Sequence, residues 1–96
     1  MRHYLDTIGA RIGVLCGMDI REPRERRLLR IYAVLCLARG TTVRCEHVHD
    51  AWAVECRDDH PCAVPFDRLP PDSQALDVKY RDAIRLVAAE LAQEGN

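Results

Sequence analysis

The sequence predicts an all-α domain of about four helices, with a proline-rich irregular segment between the third and the fourth. Three observations carry that expectation. Apolar residues recur at helical spacing in four stretches. Gly17, Gly40 and the pair Pro70-Pro71 punctuate those stretches where helices stop and start. No stretch alternates apolar and polar residues long enough to make a convincing strand, since Val14–Cys16 and Thr41–Arg44 are too short.

The first helix is expected over about 2–16, with Tyr4, Leu5, Ile8, Ile12 and Leu15 on one stripe and Gly17 as its stop. The second is expected from Pro23 or Arg24 to Arg39. Pro fits the first turn, Glu22 and Glu25 suit the positive end of the helix dipole, and Gly40 terminates it. Its stripe of Leu28, Leu29, Ile31, Tyr32, Leu35 and Cys36 is broad, which places this helix at the centre. Thr41 and Thr42 are expected to cap a third helix over about 43–55, with Val48, Ala51, Trp52 and Cys56 along one side. Residues 57–69 hold Pro61 and Pro65 and are expected to be irregular with one short turn, pinned by burial of Phe66 and Leu69. Pro70-Pro71 then open a last helix to about Gln93, striped by Leu76, Tyr80, Ala83, Ile84, Val87 and Leu91.

Ninety-six residues make a single helical domain with one core. Fourteen basic against fifteen acidic side chains give a formal charge of −1, which does not favour nucleic acid or anionic lipid as a partner. Arg21, Arg24, Arg26, Arg27 and Arg30 cluster early in the second helix, but Glu22 and Glu25 interleave with them. The following helix carries Glu46, Asp50 and Glu55, which repel phosphate, so no nucleic-acid partner is expected. No apolar run reaches 18 residues, and Arg2, Asp6 and Arg11 interrupt the first twelve, so neither a membrane partner nor a signal peptide is expected. Five cysteines, an odd count, read as buried thiols in a cytoplasmic protein.

Cys45, His47, His49, Cys56, His60 and Cys62 fall within eighteen residues and are all of zinc-ligating type. No C-x-x-C pair is present, and the Cys56-His60-Cys62 spacing fits no common knuckle, so no metal and no cofactor are expected. Cys45, near a helix start and beside Arg44, is the one thiol with an argument for activation. Without a Gly-rich oxyanion loop no enzyme is expected. The remaining constellation is Trp52 with His49 one turn earlier, followed by His60-Pro61, Phe66 and Asp67: an aromatic face, imidazoles and a proline-braced loop suited to a flat polar ligand.

The segments His49-Asp50-Ala51-Trp52, His60-Pro61-Cys62, Pro65-Phe66-Asp67-Arg68-Leu69 and Gln74-Ala75-Leu76-Asp77 together resemble the RyR domain, a helical module named for the calcium-release channels that repeat it. The resemblance covers about residues 48–80, and the chain also resembles short proteins of actinobacteria and their phages. Two departures stand out. Only seven residues separate Trp52 from His60, so a family loop with a second aromatic is missing, and Gln74 stands where the family has Lys. The resemblance implies a non-catalytic recognition module for a nucleotide-derived small molecule, in a phage or defence setting. Trp52 would be the stacking platform, with His49, His60, Phe66 and Asp67 as the other ligand-binding candidates. Because the second aromatic is missing, a homodimer with Trp52 near the subunit boundary is the expected way to enclose a ligand from two sides. The alternative is a structural or host-modulating protein whose partner is another protein and which has no small-molecule ligand.

Overall fold

The computed structural model of the chain describes residues 3–95. It is all-α: α1 (Tyr4–Cys16), α2 (Pro23–Arg39), α3 (Cys45–Val54), the single turn α4 (Pro71–Ala75) and α5 (Val78–Glu94), with 3₁₀ turns at Gly40–Thr42 and Phe66–Arg68. The proline-rich segment lies between the third helix and the fourth, as the sequence predicts, and the fourth comes in two pieces, α4 and α5. Among the described residues there is no strand, and no helix is long and apolar enough to cross a membrane.

Local chemistry sets most of these boundaries. His3 Nδ1 accepts from the Leu5 N–H at the start of α1, and the Arg2 expected to open it lies outside the described residues. Gly17 takes the left-handed conformation (φ 82°), and its N–H and that of Met18 both donate to the Gly13 carbonyl. Glu22 caps α2 by accepting the Glu25 N–H at 2.8 Å, with Pro23 in the first turn. Gly40 closes that helix at φ 59°, a conformation only glycine adopts without strain.

The third helix departs from expectation at its start. Thr41 and Thr42 do not cap it: they belong to the 3₁₀ turn, where the Thr42 hydroxyl donates back to the Arg39 carbonyl at 2.7 Å. The cap comes from His47, whose Nδ1 accepts the Arg44 N–H at 2.9 Å. The intervening turn is used for packing, since Val43 is fully buried and Arg85 Nε donates to its carbonyl at 2.7 Å.

The other departure is the break between α4 and α5. Leu76 and Asp77 keep near-helical dihedrals, but their N–H groups bond three residues back, to the carbonyls of Ser73 and Gln74. That tighter winding interrupts the α ladder and shifts the phase of the apolar stripe. Leu76 consequently falls out of the core and is 69% exposed. Leu15 and Tyr4, placed on the α1 stripe by spacing, are also exposed.

One core joins α1, α2, α3 and α5. Ile8, Ile12 and Cys16 meet Leu29, Tyr32, Ala33 and Cys36 of α2, with Val43, Val48, Ala83, Ile84, Val87 and Ala88 completing it. α2 touches α1, α3 and α5 and is the central helix. Gly9 and Gly13 let α1 approach closely: a Cβ at Gly13 would stand 2.6 Å from the Met18 carbonyl oxygen, and one at Gly9 would stand 3.2 Å from Leu29 Cβ. Arg30 clamps Asp6 across this seam with two hydrogen bonds of 2.7 and 2.9 Å, and its guanidinium holds the Asp6 carboxyl below the usual range.

The irregular segment is anchored differently from the expectation. Leu69 is buried, 7% exposed, but Phe66 is only half-buried. The other anchors are polar: Gln74 Nε2 donates to the carbonyls of both Phe66 and Leu69 at 3.1 Å, and His49 Nε2 donates to the Val64 carbonyl at 2.6 Å. A segment rich in proline cannot satisfy its own carbonyls by regular pairing, and these side chains satisfy them instead. Leu69→Ala is therefore expected to cost about 2–4 kcal/mol in denaturant titration and Phe66→Ala distinctly less, because the loss follows the volume buried.

Candidate functional site: an aromatic cleft with an unpaired carboxylate

A cleft of about 330 Å³ opens where α2, α3, the irregular segment, α4 and the start of α5 converge. Leu28 and Tyr32 of α2 form its floor, His49 and Trp52 come from α3, His60, Cys62 and Leu69 from the irregular segment, and Ser73, Leu76, Asp77 and Tyr80 from the broken fourth helix. The break puts Leu76 and Asp77 at the cleft, where they join the aromatic rings.

Of the five candidates named from sequence, Trp52, His49 and His60 meet in this cleft. Trp52 is half-buried, with the His49 ring stacked at 5.5 Å between centroids and the His60 ring edge-on at 5.2 Å. Phe66 does not line the cleft but braces it from behind, its ring meeting that of His49 edge-on at 6.1 Å. Asp67 is exposed on the Phe66–Arg68 turn and lines no part of the cleft.

Each imidazole has one nitrogen assigned by its partner. The Val64 carbonyl can only accept, so His49 carries a proton on Nε2; the residue is 4% exposed and serves as a strut between α3 and the loop. His60 Nδ1 accepts the Cys62 N–H at 3.0 Å, which leaves Nε2–H as the donor of its neutral form. His47, on another face of α3, is occupied by its capping bond. With the histidines so engaged, no three His, Cys, Asp or Glu side chains are grouped to hold a metal ion among the described residues.

Sequence reasoning missed three polar members of the site. Tyr32 is 1% exposed, its ring lies 5.8 Å from that of Tyr80, and burial pushes its phenol well above the usual value. Tyr32 lines the cleft, and its hydroxyl makes no hydrogen bond among the described residues; because no buried side-chain oxygen is left unpaired there, the hydroxyl is open to solvent. Asp77 is half-buried at the N-cap of α5, yet its side chain does not cap, because its backbone is already helical (φ −82°, ψ −10°). Its carboxylate makes no hydrogen bond or ion pair among the described residues. Burial raises the Asp77 carboxyl above its ordinary value, and the nearby His49 ring opposes that shift. Tyr80, which spacing placed on the core stripe, is half-buried at the cleft wall with Lys79 Nζ 5.0 Å from its ring centroid.

The charge of the site is one-sided. Asp77 is the only acidic side chain in the lining and no Lys or Arg accompanies it. The basic cluster at and just before the start of α2 is partly spent elsewhere: Arg21 pairs with Asp19, Arg27 with Glu55 and Arg30 with Asp6. The five cysteines are free thiols, and burial raises Cys16 and Cys36 above the ordinary thiol value, which disfavours their thiolate forms. Cys45 sits in the first turn of α3 and does not line the cleft; Cys62 does, without a thiol–imidazole hydrogen bond among the described residues.

No curated protein and no solved structure matches the chain. A family model matches residues 3–89, a span that includes the whole helical core and every residue lining the cleft. The chain belongs to that family, described as a domain of unknown function (DUF7701).

Proposed function

We propose that this chain is a non-catalytic binding module that takes the flat ring of a nucleotide-derived small molecule into the cleft between α2, α3 and the start of α5. The observation that carries the reading is the pairing of a reachable Trp52 with two unspent polar groups, the Asp77 carboxylate and the Tyr32 hydroxyl, in one cleft. Neither group is sealed from solvent, since no buried side-chain N or O atom lacks a partner among the described residues, so each can exchange water for the polar groups of a ligand. The absence of Lys and Arg from the lining means that a ring enters and any phosphate stays outside. The resemblance of residues 48–80 to the RyR domain supports the same reading, and five free thiols suit the cytoplasm. The reading includes a homodimer in which a second Trp52 covers the ligand, which sedimentation tests directly.

Trp52 is the only tryptophan, so its fluorescence reports on the cleft alone. Titration with nucleosides and nucleotides is expected to quench and saturate for at least one of them, with a matching rise in Tm. Emission unmoved by every one of them overturns the reading. One observation favours the protein-partner alternative: a shallow groove between α2 and α3, lined by Ile31, Val34, Leu35 and Ala38 of α2 and by His47, Asp50 and Ala51 of α3. Binding of a protein that Val34→Asp abolishes, with no nucleoside bound, is the result that reading requires.

A further inference from the structure

We propose that Asp77 selects which ring enters: the cleft takes a guanine-type base, whose adjacent ring N–H and exocyclic NH2 donate side by side to the Asp77 carboxylate. This rests on the cleft being a base site and adds the identity of the base.

Asp77 stands in an unusual state. Aspartate favours helix N-caps because its oxygens accept the first free N–H groups, and Asp77 occupies that position without doing so. A carboxylate only accepts, and two oxygens with no protein donor call for a ligand that presents two donors at matching separation. The Watson–Crick edge of guanine does this with N1–H and N2–H2. Adenine offers one amino group there, and its N1 lone pair would face the second carboxylate oxygen.

Tyr32 points to the same base independently of Asp77. The residue is 1% exposed and lines the cleft, and its hydroxyl makes no hydrogen bond among the described residues; since no side-chain oxygen sealed from solvent is left unpaired there, the hydroxyl is open to solvent and free to bond a ligand. His60 adds an Nε2–H that its bond with the Cys62 N–H leaves over. These are donors, and they match the O6 and N7 acceptors of guanine. A quaternary ammonium would satisfy the carboxylate and the rings of Trp52 and Tyr80 but would leave both donors unpaired. A guanine-type base answers all of them. The groups that face Asp77 across the cleft are His49, Tyr32 and Tyr80, with Lys79 against the Tyr80 ring, and none of them makes an ion pair or hydrogen bond with the carboxylate among the described residues.

The test is isothermal titration calorimetry of the full chain with guanosine, adenosine, xanthosine and tetramethylammonium, for the wild type and for Asp77→Asn. Guanosine is expected to bind at least about tenfold more tightly than adenosine, because charge-assisted hydrogen bonds separate the two. The side-chain amide of the Asp77→Asn variant keeps one acceptor and turns the other into a donor. Xanthine differs from guanine in the complementary sense, with a carbonyl in place of N2–H2. Asp77→Asn is therefore expected to weaken guanosine about tenfold or more and to strengthen xanthosine, a gain that no merely structural role of Asp77 would produce. Adenosine binding as tightly as guanosine, or guanosine binding unchanged in the variant, overturns this inference and leaves the cleft a base site. Binding of tetramethylammonium alone, or of nothing, overturns both.

Discussion

Tyr32→Ala is expected to lower the free energy of unfolding by about 3–5 kcal/mol, as for other buried aromatic truncations. Tyr32 is among the largest fully buried side chains and sits on the central helix, where its ring faces Tyr80 and joins Ile12, Leu29 and Ile84 in one core. Its removal opens a cavity at the junction of three helices that none of them can close alone. Against a total stability of roughly 5–15 kcal/mol for a small domain, that loss leaves the variant near its unfolding transition at ordinary temperatures. Tyr32→Phe separates the two roles of the residue. The hydroxyl makes no hydrogen bond within the described residues, so its deletion is expected to change stability by less than about 1 kcal/mol while weakening ligand binding. Urea titration followed by circular dichroism reads the first effect, and calorimetry the second. A Phe variant as unstable as the Ala variant would mean that the hydroxyl has a structural partner.

Trp52→Ala is expected to weaken binding of a nucleoside about tenfold or more, since base–aromatic contact is worth roughly 1–3 kcal/mol. The indole is half-buried at the cleft wall, and its neighbours His49 and His60 are held by their own bonds to Val64 and Cys62. Those bonds do not pass through Trp52, so α3 and the irregular segment keep their anchors when it is removed. Helical content is therefore expected to persist, and the affinity to fall. Affinity that stays within about twofold of wild type would remove Trp52 from the site, given that stacking energy.

The sequence makes some of this architecture legible and hides the rest for physical reasons. α2 is readable at both ends because Glu22-Pro23 and Gly40 are strong boundary signals, and its broad stripe correctly places it at the centre. The start of α3 is misread because Thr41-Thr42 look like caps, while the cap is supplied by a histidine inside the first turn. The break before α5 carries no Pro or Gly; it is a change of hydrogen-bond register at Leu76-Asp77 that no residue type announces. Within the site, His49, Trp52 and His60 are close in sequence and could be read as a group. Tyr32 and Tyr80 come from α2 and α5 and read as core stripe, which Tyr32 also is. Asp77 did have a signal, since it closes the Gln74-Ala75-Leu76-Asp77 segment of the RyR resemblance, but only the fold shows its carboxylate unpaired. Gln74 ties the loop by two carbonyls, a role that its residue type does not announce.

The most direct measurement of the central claim is a ¹⁵N–¹H correlation spectrum of the full chain titrated with guanosine. The Trp52 indole N–H and the amides of His49, His60, Asp77 and Tyr80 are predicted to shift together and saturate with one affinity. The amides of Ile31, Val34 and Ala38, which line the other groove, are predicted to stay in place. Shifts confined to that second groove, or a spectrum unchanged at millimolar guanosine, would contradict the assignment of the cleft as the binding site.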